Sequence, residues 1–375
     1  MAEVEDVVVN VPCTEHYPQF KTLDDVVGFD TEYYHLDFKS LKTINSKLFL
    51  DKYSTGTPAF VSMGTYGQVY RSESSEGVFA VKKFVMINGY NEPHRFYQNN
   101  CMEVVILKSV NHPNVVRLLD ASVVDGYLHA AFDYYENDIS RFNFGHLQRH
   151  HRNWRLLAMK HISNALAYLH SQLIIHRDVK PSNILYRVFP TKSGKKYIHF
   201  ALCDFGAAID CKGIDRPVVV HTKVTTCTFE APEMMLRSRM YTSAVDVFGL
   251  GCVLYYIMTN GLPLLPHTLE KLPPQDGFAI LESRLQQRAS EEERAFFSTL
   301  PEGNFTRIDL LYGLCFRHIP PLKKIGTCND LLLKMIALDP NKRPTAKQVN
   351  REIIAINQTQ RELYASRKQG ECKVL

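Results

Sequence analysis

A chain of 375 residues with 45% hydrophobic and 22% charged side chains has room for two or three domains with ample core. Its net charge of +5 is spread along the chain rather than gathered in blocks, which argues against nucleic acid or a membrane surface as a partner. The 9 cysteines are odd in number and lack paired spacing, which points to a reducing compartment. The acidic Glu3, Glu5 and Asp6 do not resemble a secretory signal. The longest apolar run, Val247 to Met258, is too short to cross a bilayer and reads as a buried helix. A cytoplasmic or nuclear location is expected.

In chain order, residues 1–56 show no clean period. The aromatics Tyr33, Tyr34, Phe38 and Phe49 suggest that part of this extension packs on the body. From Pro58 to Val85 the pattern is strand-rich, with Ser72 to Gly77 as a hairpin turn leading into Val78-Phe79-Ala80-Val81. A helix is expected around 98–110, broken by His112-Pro113-Asn114. From Trp154 to Ser171 apolar residues recur at helical spacing. Lys192-Ser193-Gly194-Lys195-Lys196 reads as a polar loop between two strand-like runs. The last helix starts at Thr345, with Gln348 completing a capping box, and the polar stretch after Gln358 is expected to fray. There are no internal repeats or low-complexity tracts.

The chemistry concentrates in His176-Arg177-Asp178-Val179-Lys180-Pro181-Ser182-Asn183 and in Asp204-Phe205-Gly206. Asp178 can accept a hydroxyl proton, Lys180 can neutralise charge on a moving phosphate, and Asn183 with Asp204 makes a plausible magnesium pair. Upstream, Ser62-Met63-Gly64-Thr65-Tyr66-Gly67-Gln68-Val69 reads as a glycine-rich phosphate loop with Ser62 at the first glycine position. Alone it is equally a plain hairpin turn, and Ser62 should weaken the fit to phosphate. Lys82, a few residues on, strengthens the first reading. Strand alternation puts Lys82 and Lys83 on opposite faces, with Lys83 expected toward solvent.

These residues resemble the eukaryotic protein kinases over roughly residues 57–355. Phe79-Ala80-Val81-Lys82 is similar to the strand carrying the ATP lysine, and Glu103 falls at the αC glutamate. Ala231-Pro232-Glu233 is similar to the close of the activation segment, Asp246 to the αF aspartate, and Arg343 to the arginine that pairs with the glutamate at Glu233. The implied fold is α+β and bilobal: a small antiparallel β-sheet N-lobe with helix αC, and a larger, mostly helical C-lobe. The implied division is a partly ordered extension at 1–56, N-lobe at 57–135, C-lobe at 136–355 and a tail at 356–375.

The resemblance implies transfer of the γ-phosphoryl of ATP, with Mg2+, to serine or threonine of a protein substrate. Asp178, Lys180, Asn183 and Thr226 would be catalytic, and Asn183 and Asp204 would hold the metal. Ser62, Gly64, Gly67, Val69, Ala80, Lys82, Glu103, Phe132, Asp133, Tyr135 and Leu185 would contact ATP. Gly64-Thr65-Tyr66-Gly67, Asp138-Ile139 and Asp339-Pro340-Asn341-Lys342-Arg343 are similar to the cyclin-dependent kinases and their CMGC group, while His176 to Tyr186 is also similar to the cell-division-cycle-seven kinases. Glu230 replaces that group's usual arginine and Phe248 its tryptophan. An activating subunit or an upstream kinase is the expected partner, the latter acting on Thr222 or Thr225 through Arg177. The alternatives are a pseudokinase scaffold, against which Lys82, Asp178 and Asp204 are all intact, and a small-molecule kinase on the same fold.

Two weaker signals remain. His146, His150 and His151 with Arg149 and Arg152 could form a metal site, but a solvated loop explains them as well. Cys372-Lys373-Val374-Leu375 fits a prenylation box, so membrane attachment is expected only if Cys372 is prenylated; a chance cysteine in a tail is the simpler reading. Cys203 reads as a small packed hydrophobe within reach of an inhibitor.

Overall fold

The computed structural model describes residues 43–54, 56–64, 67–84, 102–125, 127–141, 153–190, 196–211, 227–235, 242–264, 328–337 and 339–371. Within the first of these segments, Asn45 caps a short helix, α1 (Ser46–Tyr53), by accepting from the Lys47 N–H. Five antiparallel strands follow: β1 (Ala59–Gly64), β2 (Gly67–Ser74), β3 (Gly77–Lys83), β4 (Leu118–Val124) and β5 (Tyr127–Asp133), in the order β1-β2-β3-β5-β4. The turn between β2 and β3 is shorter than the sequence suggests. Ser72, Glu73 and Ser74 are all in the ladder, opposite Phe79, Val78 and Gly77. The buried Ser72 hydroxyl donates to the Tyr53 carbonyl of α1, Glu73 pairs with Arg71, and the Ser74 hydroxyl accepts the Glu76 N–H at 3.2 Å.

Register sorts the sheet into two working faces. Val69 lies opposite Lys82, and Lys82 opposite Ala130; Ala80 lies opposite Phe132. These five side chains share the face turned toward the second lobe. The other face carries Phe79, Val81 and Ala131, covered by Phe49 and Tyr53 of α1. Phe49 and Tyr53 are each only 1% exposed, so the extension does pack on the body as its aromatics suggest; Tyr33, Tyr34 and Phe38 lie outside the described residues.

Residues 102–109 are helical and make α2; the expected start near 98 lies outside the described residues. In the second lobe, α3 (Trp154–Ser171) has the bounds its periodicity implies. A three-stranded sheet, β6 (Asn137–Asp138), β8 (Ile184–Pro190) and β9 (Lys196–Leu202), ordered β6-β8-β9, lies beside it. A two-stranded one pairs β7 (Ile174–Ile175) with β10 (Ile209–Asp210). After α4 (Pro232–Met235), α5 (Ala244–Met258) is buried on nearly every side, as its unbroken apolar run requires. The last helices are α6 (Asn329–Met335) and α7 (Ala346–Glu371).

Thr345 and Gln348 form the expected capping box at α7: the Thr345 N–H donates to Gln348 Oε1 at 2.7 Å and the Gln348 N–H to Thr345 Oγ1 at 3.3 Å. The Asn350 amide donates to Lys160 O and Ser163 Oγ, both at 2.9 Å, pinning α7 to α3. The expected fraying after Gln358 is not found. The helix continues to Glu371, because Arg361, Glu362, Leu363, Ala365 and Lys368 are strong helix formers and Gln358 bonds Glu362 one turn on at 3.1 Å.

Candidate active site

Two backbone constraints hold the loop between β7 and β8. Asp246, on α5 and 1% exposed, accepts the His176 N–H at 2.9 Å on one carboxylate oxygen and the Arg177 N–H at 2.7 Å on the other. His170 at the end of α3 meets the same carboxylate at 2.8 Å. Burial alone would raise the Asp246 pKa, yet it is depressed, because His170, His176 and the His176 N–H bond together outweigh burial. The second constraint is steric. A side chain at Gly249 would put its Cβ 2.9 Å from Val179 O, so only glycine lets α5 lie against the residue after Asp178. Arg177 has φ of 69° and Asp204 of 63°, so both chain segments enter the site through left-handed backbone.

His176 ties the two segments together. Its Nδ1 accepts the Asp178 N–H at 3.3 Å, so its Nε2 carries the proton and donates to Cys203 O at 3.0 Å. Its ring meets Phe205 edge-on at 4.8 Å. Cys203 N–H returns a bond to Asn183 O at 2.9 Å. Asp178 is thereby fixed, and Lys180 Nζ reaches its Oδ2 at 2.8 Å while the Asn183 amide nitrogen donates to the same oxygen at 2.9 Å. Burial raises the Asp178 pKa, with Lys180 opposing.

From the other lobe, Lys82 Nζ meets Glu103 Oε2 of α2 at 2.6 Å and Asp204 Oδ1 at 3.3 Å. Burial works against the charged Lys82, but Asp204 and Glu103 together hold its pKa above the usual lysine value. Burial would likewise raise Asp204, yet its pKa is depressed by Lys82 and Lys180, so it stands as a carboxylate ready for a cation. Lys83 takes the opposite face; rather than pointing freely to solvent, its ammonium lies 4.1 Å from the centre of the Tyr127 ring.

The residues expected around a nucleotide fall into three groups. Val69, Ala80, Lys82 and Phe132 share the cleft face, and Leu185 is the second residue of β8, opposite Asp138. The side chains of Asp133 and Tyr135 are engaged elsewhere: Asp133 pairs with Arg117 at 3.7 Å, and the Tyr135 ring stacks on His199 at 6.1 Å. In the glycine-rich segment, Gly67 is sterically required, since a Cβ there would strike Lys83 O and Phe84 Cα. A Cβ at Gly64 would meet only Gly67 O, at an ordinary contact distance of 4.0 Å. Ser62 is in β1 opposite Val69 and is not among the residues with positive φ, so serine costs no backbone strain there and the expected weakening has no steric basis.

Thr226, Thr222, Thr225, the histidine group at 146–151 and Cys372 lie outside the described residues. Arg177 is buried, and its guanidinium donates to Ala207 O at 3.0 Å. Cys203 is partly buried, and burial pushes its thiol pKa well up, as befits a packing residue. Arg343 clamps Glu233 with two bonds, 2.6 and 2.9 Å, and lies 5.0 Å from the Phe248 ring, so Phe248 supplies the aromatic platform at the position of the usual tryptophan. Sequence reading missed His170. Its only signal was a histidine in the last turn of an apolar helix, six residues before His176.

The donor set fits a divalent cation. Asn183 commits its nitrogen to Asp178, leaving its carbonyl oxygen for a ligand, and Asp204 is anionic: one amide and one carboxylate oxygen, which suits Mg2+.

A family model described as protein kinase domain matches residues 59–353. The chain is 30% identical over 310 residues to probable cyclin-dependent kinase 8 of Dictyostelium discoideum, covering 77% of each chain. It is 29% identical to serine/threonine-protein kinase srb10 of Schizosaccharomyces pombe, over 77% of this chain and 82% of that one. With cyclin-dependent kinase E-1 of Arabidopsis thaliana it shares 29% identity over 77% of its length and 63% of the relative's.

Proposed function

Because the chain belongs to the protein kinase family, we propose that the site assembled around Asp178 carries out its phosphoryl transfer, with each residue in the role its surroundings favour. The chain is a serine/threonine protein kinase of divergent CMGC type. The observation that carries the assignment of roles is the chain of contacts from Glu103 through Lys82 to Asp204, set against a fixed Asp178.

Asp178 orients the substrate hydroxyl and takes its proton at Oδ2, the oxygen that Lys180 and Asn183 already polarise. Lys82 holds the α- and β-phosphates of ATP and is kept in place by Glu103. Lys180 offsets charge on the transferred group. Asn183 and Asp204 would hold Mg2+, which, when bound, would neutralise charge on the phosphates. The protein's share of catalysis is positioning and fixed charge in a buried site.

The named relatives also suggest a cyclin-like activating subunit for this chain and protein substrates recognised outside the acceptor residue. Lys82→Met and Asp204→Asn test the roles. Each is expected to lower phosphate transfer to a serine or threonine peptide by at least about a thousandfold, with the melting transition retained. Wild-type rates in either variant, with contaminating kinase excluded, overturn the assignment.

A further inference from the structure

The hairpin formed by β8 and β9 runs well past the site it supports. One face of it is used: Ile184, Ile198, Phe200 and Leu202 are fully buried. The opposite face is open at its outer end. Phe189 lies opposite Tyr197 in the ladder, and they are 38% and 43% exposed. Cross-strand partners share a face, so the two aromatics stand together on the hairpin's outer end. Two positions along from Phe189, on the same face, is Arg187.

Arg187 is unusually placed. Its guanidinium carbon lies 4.8 Å from the Tyr135 ring centre and 4.7 Å from that of Phe189, so two aromatic rings hold it. Its Nε is buried and without a hydrogen-bond partner, and among the described residues it makes no ion pair. The carboxylate of Asp133 is committed to Arg117. The charge of the hairpin is one-sided. Its two strands carry Arg187 and Lys196 and no Asp or Glu. A pre-set cation with no ion-pair partner among the described residues, beside two exposed rings, is complementary to an anionic and apolar ligand. One face of Phe189 is occupied by the guanidinium, which leaves it poorly suited as a stacking platform for bases.

We propose that the outer face of this hairpin, built on Arg187, Phe189 and Tyr197, docks an acidic segment interleaved with apolar side chains in the protein substrates of the kinase. The proposal rests on the reading that proteins are its substrates. At about 3.3 Å per strand residue, Phe189 is about 20 Å along the chain direction from Asn183, so the docked segment and the phosphorylated residue are separate parts of one substrate. Docking of this kind lowers KM through effective concentration and leaves kcat alone.

The test has two arms, both on the full chain. In the first, fluorescence anisotropy follows a short labelled peptide of alternating Glu and Leu, a Gln–Leu counterpart and an oligothymidylate. The Glu–Leu peptide is expected to bind at least about tenfold more tightly than either control. Phe189→Ser and Arg187→Gln are each expected to remove that preference. In the second arm, an acceptor peptide chosen from an array is fused to the Glu–Leu segment through a flexible linker. Fusion is expected to lower KM about tenfold, and both variants to lose this gain while phosphorylating the unfused acceptor as wild type does. No binding by wild type, equal binding by the variants, or equally tight oligothymidylate binding overturns the proposal. A failure of the kinase assignment would appear instead as no transfer to the unfused acceptor, which leaves the anisotropy arm intact.

Discussion

Acid should loosen this fold through His161. The side chain sits on α3, 8% exposed, accepting the Phe200 N–H at 3.2 Å on Nδ1, with the His199 ring 5.5 Å away. Burial first, and the nearby His199 and Lys160, push its pKa from 6.5 down to about 4. The unfolded chain therefore binds a proton between those values that the fold refuses. Stability contributed by the neutral ring is complete above 6.5, falls as the pH drops through that value, and is fully lost below about 4. At about pH 4.5 the loss is about 2.5 kcal/mol. His161→Asn keeps an acceptor near the Nδ1 position and removes the titration. It should cost about 1–2 kcal/mol at neutral pH for the lost ring, and its stability should then fall less than wild type's as the pH is lowered. The assay is urea denaturation at about pH 7.5 and about pH 4.5, followed by the fluorescence of Trp154, which is the chain's 1 tryptophan and starts the same helix. Parallel losses in the two proteins would refute the reasoning.

Three further outcomes follow from the geometry. Ser62→Gly should change the KM for ATP by less than about twofold, since the position is extended strand with no need of glycine; a large improvement would place the loop differently. Gly249→Ala should cost about 1–3 kcal/mol and lower kcat about tenfold to a hundredfold, because its Cβ would press on Val179 O at 2.9 Å and displace the loop holding Asp178; unchanged steady-state kinetics would show that the loop yields freely. Arg343→Lys should lose about 3 kcal/mol in chemical denaturation, as an ammonium cannot keep both bonds to Glu233 along with those to Ala337 O and Ala244 O; a loss under about 1 kcal/mol would mean that the pair is not a structural clamp.

The parts of the site legible in the sequence are those whose rules are local. Alternation alone separated Lys82 from Lys83, and periodicity alone bounded the helix from Trp154 to Ser171. The spacing within 176–183 announced its chemistry. What stayed hidden depends on partners far along the chain. The grip of His170 on Asp246 spans 76 positions, and no pattern in either helix announces it. Ser72 to Ser74 look like a turn until the Tyr53 carbonyl is there to receive the Ser72 hydroxyl. The length of α7 was misjudged for a different reason: its residues after Gln358 are polar, and polarity was weighed above their high helix propensity.

The helix α1 sets where a usable recombinant protein must begin. The family match starts at residue 59, and cutting there would discard Phe49 and Tyr53 and uncover Phe79, Val81, Val124 and Ala131 on the far side of the sheet. It would also strand the Ala121 carbonyl, which receives the Ile44 N–H at 3.1 Å, and Asp120, which pairs with Lys52 at 2.9 Å. A shortened protein of that kind would be sticky and hard to keep in solution, and a failed expression trial would say nothing about the enzyme. Starting at or before residue 43 keeps the lid on.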